Sequence, residues 1–364
     1  MKIALVHEYL TQFGGAERVL QNFLAIWPEA QLHVIIHNPE KVGHVFDQAK
    51  IKTSFLNNMP GAQSDHKWYL AFMPMAIESF DFSGFDVVLS DSSSFAKGAM
   101  AGKKFKANVP HICYCHTPTR FLWTEQEEYL KSTKYSSVVK MGARPVLRWL
   151  KQWDYKAAQR PDFMIANSKN VQERIKKYYN RESEIIPAPV DTEMFYPDGK
   201  KSDYFFAFSR LEPYKKMDLV VQAFTKLGWP LKIAGVGTQM ELLKKIAGKN
   251  IEFLGKLNDT DLRKHYSEAK AYIFAADEDA GITVLEAQAC GTPVIALGKG
   301  GSLEVVIPGQ TGEFFPEQTV ESLIQTLQSF DSSKYAPEKI REQAMKFDKQ
   351  IFRQKIKQFV ESKI

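Results

Sequence analysis

The sequence predicts an α/β protein built from two parallel-sheet domains, and three observations carry that expectation. Short apolar runs alternate with helical patterns through the first half: "KIALVH", "QLHVIIH", "FDVVLSDS", "PHICYCH" and "FMIANS". A proline-punctuated stretch, "IIPAPVDTEMFYPDGKKSD" (185–203), interrupts the alternation. It then restarts with "YFFAFSR", "LKIAGVG", "IEFLGK", "AYIFAA", "PVIAL" and "TGEFF". Runs of this length, separated by helices, fit strands of a parallel sheet buried on both faces. The expected architecture is two Rossmann-like domains facing each other across a cleft and joined by a Pro-rich linker. The expected division is 1–190, 191–345 and a charged helical segment, 346–364, packing back on the first domain.

Composition bounds the function. At 364 residues, 44% hydrophobic and 12% aromatic, the chain can fill two cores. No apolar run approaches the length of a membrane-spanning helix. The start, "MKIALVHEYL", reads as a first strand, because His7 and Glu8 cut its apolar run too short for a signal peptide. A cytoplasmic location is the expectation. Three cysteines, Cys113, Cys115 and Cys290, form no disulfide framework. "CYCH" (113–116) raises the question of a metal, but it lies in a strand-like run with no second ligand pair at a suitable spacing. No metal is expected.

The net charge of +6 is uneven. Residues 131–160 hold eight bases, Lys131, Lys134, Lys140, Arg144, Arg148, Lys151, Lys156 and Arg160, against one acid, Asp154, an excess of +7. Trp149, Trp153 and Tyr155 interleave with them. Two readings stay open: a surface for anionic lipid headgroups, or a solvated helical face. No nucleic-acid motif accompanies the segment, so nucleic acid is not an expected partner.

Candidate site residues fall just beyond the strands. "FGGAERVL" (13–20) places Gly14 and Gly15 between the first strand and a helix, where their N–H groups could meet a phosphate. It lacks the G-x-G-x-x-G spacing of a dinucleotide site. His116 follows "PHICYC" and is either a wall residue or catalytic. In "SRLEPYKKMDL", Arg210 and Lys215 could neutralise a diphosphate, or be ordinary surface bases. Gly235 and Gly237 in "AGVG" would let a nucleotide approach the backbone, and "KGGSLEVV" (299–306) adds another glycine turn.

The segment "FAADEDAGITVLEAQACGTPVIAL" (274–297) carries the densest signal. It reads as strand, loop, helix, strand, with Glu278 in the loop and Glu286 in the first turns of a helix opening near Gly281 and Ile282. Parallel sheets bind ligands in that crevice. Thr283-x-x-Glu286 is equally a capping box, and Asp277–Asp279 a solvated acidic turn.

Together these stretches resemble the retaining glycosyltransferases of family four, which have the GT-B fold. "GGAERVL", "CHTPTRFLW", "IANS", "PVDTEMF", "SRLEPYKKMDL", "FLGKL" and "EDAGITVLEAQACGTPVIA" carry the resemblance over nearly the whole chain. The last is the family's E-x7-E signature. Two of the others look most like bacterial polysaccharide and O-antigen mannosyltransferases. The resemblance implies that the first domain binds acceptor and the second a nucleotide sugar, GDP-mannose or a UDP-sugar. It further implies that Glu278 contacts sugar hydroxyls, Glu286 holds the ribose, and Arg210 and Lys215 neutralise the diphosphate. The helix start at Gly281, Ile282 and Thr283 would point its amides at that diphosphate. Gly15 would close over the phosphates, and His116 would line the sugar pocket. The implied reaction is hexosyl transfer with retained configuration and no metal, onto a glycan or lipid-linked acceptor. An anionic membrane surface is a candidate partner through 131–160, with the solvated face as its alternative. Two departures stand out: many relatives carry an aromatic where Ala280 stands and a glycine where Lys216 stands. The rivals are a sugar-nucleotide epimerase of the same shape and a non-catalytic nucleotide-sugar-binding protein.

Overall fold

The computed structural model describes residues 1–101, 109–124, 126 and 137–364, the side chains of 137–141 excepted. Within them the chain divides into two compact units, residues 1–187 with 353–364, and residues 188–352. Each is a parallel sheet covered by helices, so both are Rossmann-like.

Among the described residues the first sheet has seven strands: β1 (Ile3–Leu10), β2 (Gln31–His37), β3 (Lys50–Thr53), β4 (Val87–Ser92), β5 (His111–Cys115), β6 (Phe163–Ala166) and β7 (Glu184–Ile185). Their order is β3-β2-β1-β4-β5-β6-β7. The chain first winds outward from β1 and then returns past it to β4, so the direction of winding reverses there. Ligands of doubly wound sheets bind at that reversal. Helix α1 (Gly15–Ile26) follows β1, and the long helix α2 (Ser137–Ala157) precedes β6. Strand β3 escaped the sequence reading because "KIKT" is an edge strand with its lysines outward.

The second sheet holds six strands: β8 (Phe205–Phe208), β9 (Leu231–Ala234), β10 (Ile251–Gly255), β11 (Tyr272–Phe274), β12 (Val294–Leu297) and β13 (Gly312–Phe315). Their order, β10-β9-β8-β11-β12-β13, reverses between β8 and β11. Strand residues alternate between two cores. Phe206 packs with Tyr266, Tyr272 and Leu285 on one face, while Phe205 packs with Phe224, Ile273 and Ile295 on the other. Burial on both faces is why these strands read as unbroken apolar runs, each interior Phe contributing about 2 kcal/mol. Helix α3 (Met217–Leu227) follows β8, and α4 (Ile282–Ala289) joins β11 to β12. The proline-rich stretch is not loose. Arg341 fastens it by donating to the carbonyls of Thr192 and Phe195, both at 2.9 Å. The last helix, α5 (Lys349–Glu361), contributes Arg353, whose Nε donates to Asn22 Oδ1 of α1 at 2.7 Å.

Candidate active site

In the second unit, the residues singled out by sequence converge on the carboxyl ends of β8, β9 and β11. Arg210 leaves β8 on an exposed loop and donates from Nη2 to the Tyr214 hydroxyl at 2.6 Å. The Lys215 ammonium lies over the same ring, 5.1 Å from its centre, and ion-pairs with Glu278. Lysine and glutamate are both half-buried, so the loop after β8 and the loop after β11 are joined through their charges. Lys216 adopts the left-handed conformation, φ +54°, as it caps α3. That is a conformation glycine adopts without the penalty a side chain brings.

The glycine turns serve the protein's own backbone. Gly235 has φ +128°, and a Cβ there would sit 1.8 Å from the Ser209 carbonyl oxygen. At Gly237 a Cβ would sit 2.4 Å from the Leu211 carbonyl oxygen, and Leu211 N donates to Val236 O at 2.9 Å. These residues let the "AGVG" turn pack beneath the Arg210 loop. Gly301 likewise lies against Asp279, and its N–H donates to the Glu278 carbonyl at 2.7 Å, holding the acidic loop from behind.

Glu286 is buried in α4, where Oε2 accepts from the Tyr266 hydroxyl at 3.1 Å. The capping-box alternative does not hold. The N-cap is Gly281, at φ +62° with no side-chain bond, so Thr283 lies inside the helix. Its hydroxyl meets the Tyr272 hydroxyl at 3.1 Å instead. Nor is the acidic turn fully solvated, since Asp279 is buried.

The first unit joins His116 and the Gly14 turn to His7 and Asp91, residues that no motif announced. His116 Nε2 lies 2.5 Å from Asp91 Oδ1, at the end of β4, and Asp91 Oδ2 lies 2.9 Å from His7 Nδ1 on β1. His7 Nε2 is 3.8 Å from Glu17, whose Oε2 accepts from the Gly14 amide at 2.8 Å. The Gly14 N–H is thus already engaged, while Gly15 opens α1. Burial pulls both histidines toward neutrality. The charge and hydrogen bond of Asp91, joined at His7 by those of Glu17, outweigh it, so His116 is raised above its usual range and His7 well above it. Asp91 is lowered, the two imidazoles overcoming its desolvation.

Beside this chain, Glu8 Oε1 accepts from the Ser92 hydroxyl and the amides of Ser93, Ser94 and Ala96 at 2.7–3.0 Å. Lys97, 0% exposed, pairs with Asp154 at 2.6 Å, and Asp154 also accepts from Thr119, Trp123 and Tyr179. The one acid of the basic segment is therefore an interior counter-ion. The signal available in the sequence was slight: polar His7, Glu8 and Asp91 interrupting apolar strands.

In that segment, Lys131 and Lys134 lie outside the described residues, as does the side chain of Lys140. Arg160 bonds Glu78 at 2.6 Å, and Lys151 lies over the Trp123 ring at 4.5 Å. Arg144, Arg148 and Lys156 are exposed, with Trp149 47% exposed beside them. Burial pushes the Cys113 thiol up to about 12, as its place in the core of β5 dictates.

Residues 13–194 match the family model described as Glycosyltransferase Family 4, and residues 193–347 match Glycosyl transferases group 1. The chain belongs to glycosyltransferase family 4. Its fold is GT-B. An uncharacterised glycosyltransferase of Methanocaldococcus jannaschii is 20% identical over 95% of this chain and 94% of its own. A probable sucrose-phosphate synthase of Thermosipho melanesiensis is 26% identical over 61% of this chain, which spans only 57% of that relative. A GDP-mannose-dependent phosphatidylinositol monomannoside mannosyltransferase of Mycolicibacterium smegmatis is 28% identical over 38% of the chain and 44% of its own length. Among solved structures, sucrose-phosphate synthase from Thermosynechococcus elongatus superposes with a TM-score of 0.77 at 16% identity, covering 100% of this chain and 99% of that one. Anabaena HepE in complex with UDP-glucose gives 0.73 at 19%, with both chains fully covered. This family-four chain is accordingly a glycosyltransferase.

Proposed function

We propose that this glycosyltransferase moves a hexose, mannose from GDP-mannose, to a glycan or lipid-linked acceptor in cell-surface polysaccharide synthesis, with retained configuration. The observation that carries the reading is the joining of Lys215 to Glu278 beside Arg210 at the winding reversal of the second sheet. Arg210 and Lys215 stabilise the charge that grows on the departing diphosphate, with the amino end of α4 adding to them. Glu278 holds sugar hydroxyls and Glu286 the ribose. Diphosphate binding exchanges the Lys215–Glu278 pair for contacts to donor, freeing the carboxylate for the sugar. No metal is needed, because two bases and a helix end supply the positive charge. Several relatives are named GDP-mannose-dependent, which favours mannose, while the HepE complex favours UDP-glucose as the competing donor.

Incubation with GDP-mannose or UDP-glucose, with and without lipid-linked glycan acceptors, tests the reading. The expected result is acceptor-dependent mannosyl transfer, with NMR of the product showing the donor's anomeric configuration. Conversion of donor without acceptor would make the protein an epimerase, and an inverted product would remove the retaining mechanism.

We further propose that α2 meets an anionic membrane at the inner face of the cell. Among the described residues no helix is long and apolar enough to cross a membrane. Exposed Arg144, Arg148 and Lys156 with Trp149 and Tyr155 suit peripheral contact, each base contributing about 1 kcal/mol. The protein should sediment with phosphatidylserine-containing vesicles at low salt and release at high salt. The triple variant Arg144→Glu, Arg148→Glu, Lys151→Glu should stay in solution. Wild-type protein left in the supernatant at low salt would end the membrane reading.

A further inference from the structure

The histidine that the resemblance assigns to the sugar pocket does not stand alone. Asp91 is shared between two imidazoles, each on a different carboxylate oxygen, at 2.5 Å to His116 and 2.9 Å to His7. Asp91 and His7 lie opposite one another on β4 and β1, and His116 follows directly on β5, whose register sets Tyr114 beside Asp91. All are buried, His116 being the most open at 9%. Beyond His7 the chain of contacts runs to Glu17 and from there to the Gly14 amide. With Nε2 engaged by Asp91, Nδ1 is the ring nitrogen of His116 through which a ligand would be met.

We propose that Asp91 and His7 are positioning residues for the transferase reaction, Asp91 fixing the orientation and charge of His116 and His7 moderating that charge from the far side of the carboxylate. The inference rests on the glycosyltransferase reading only for what His116 acts upon; the coupling of the three side chains stands on geometry. Asp91 holds Nε2–H, so a protonated ring presents Nδ1–H as a donor toward the departing group. The other charges facing the ring are known. Glu8 on β1 raises the imidazolium further, and His7 lowers it. Glu17 balances His7, and Lys97 is neutralised by Asp154.

Two substitutions push His116 in opposite directions. Asp91→Asn removes the negative charge, so the His116 midpoint should fall, and the alkaline limb of the turnover profile should move to lower pH. His7→Asn keeps an N–H donor for Asp91 but removes a positive charge, so midpoint and limb should move to higher pH. Turnover with GDP-mannose should fall roughly tenfold or more in Asp91→Asn with donor KM within about threefold. The midpoint is read independently of turnover by NMR titration of histidine labelled at Cε1, using the whole protein with no substrate. Opposite shifts support the proposal even if no sugar is transferred, which would then count against the transferase reading alone. Midpoints that stay at the wild-type value, or that move the same way, overturn it. If Asp91→Asn does not fold, His7→Asn decides by itself: an unmoved or lowered His116 midpoint overturns the proposal.

Discussion

In the first unit the charged groups around His116 are paired with one another in the interior: His7 and His116 on Asp91, Lys97 on Asp154, Glu8 on a turn of amides. In the second unit Arg210, Lys215 and Glu278 ride on loops beyond the strands, half-buried or exposed, and are held from behind by glycine turns. The first arrangement is satisfied before any ligand arrives and makes a rigid wall. The second keeps its charges near water, where a ligand's diphosphate can compete for them. Substitutions away from the His116 cluster should therefore act mainly on stability in the first unit, and those at the loop charges mainly on turnover in the second.

The largest effect is expected for Asp154→Ala. It would strand the Lys97 charge in the interior and orphan donors from Thr119, Trp123 and Tyr179. Urea unfolding should show a loss of about 3–5 kcal/mol. The double variant Lys97→Met, Asp154→Leu should recover part of it, since apolar replacements leave no lone charge. A loss below about 1 kcal/mol would erase the contrast between the units.

Next come Arg210→Ala and Lys215→Ala, each expected to lower turnover on the order of 10²-fold, the size of effect typical of one electrostatic stabiliser. Their unfolding midpoints should stay near wild type. Unchanged turnover in both would remove them from the site.

Glu286→Gln sharpens the contrast, because this carboxylate is the buried member of the second set. The amide oxygen can still accept from the Tyr266 hydroxyl, so stability should hold. Calorimetry should show donor affinity lower by roughly tenfold as charge-assisted bonds are lost. A fall in melting temperature with intact donor binding would assign Glu286 to packing.

The smallest effect belongs to Lys216→Gly. A non-glycine residue at φ +54° costs about 1 kcal/mol, partly offset by the greater freedom of glycine in the unfolded chain. A gain of about 0.5 kcal/mol in unfolding free energy is expected, with turnover unchanged. Lower turnover would show the Lys216 ammonium adding a positive contact to the diphosphate.

The sequence by itself determined the fold class. The six apolar runs of the second half became β8 to β13, and "KIALVH", "QLHVIIH", "FDVVLSDS", "PHICYCH" and "FMIANS" became strands of the first sheet. Burial on both faces forces that pattern into the primary structure. The E-x7-E stretch was legible for a related reason, since one loop and one helix carry both carboxylates within a few residues. Tertiary structure alone decided the rest. Whether Glu286 caps its helix turned on where α4 begins, and the left-handed Gly281 takes the N-cap position and leaves Thr283 inside the helix. The glycines of "AGVG" proved to make room for a neighbouring backbone, a contact no local spacing encodes. His7, Asp91 and His116 lie 84 and 25 positions apart along the chain and meet only because β1, β4 and β5 are neighbours in the sheet. Pairing between distant strands leaves no periodic trace, so a buried charge cluster of that kind becomes visible only when the sheet is assembled.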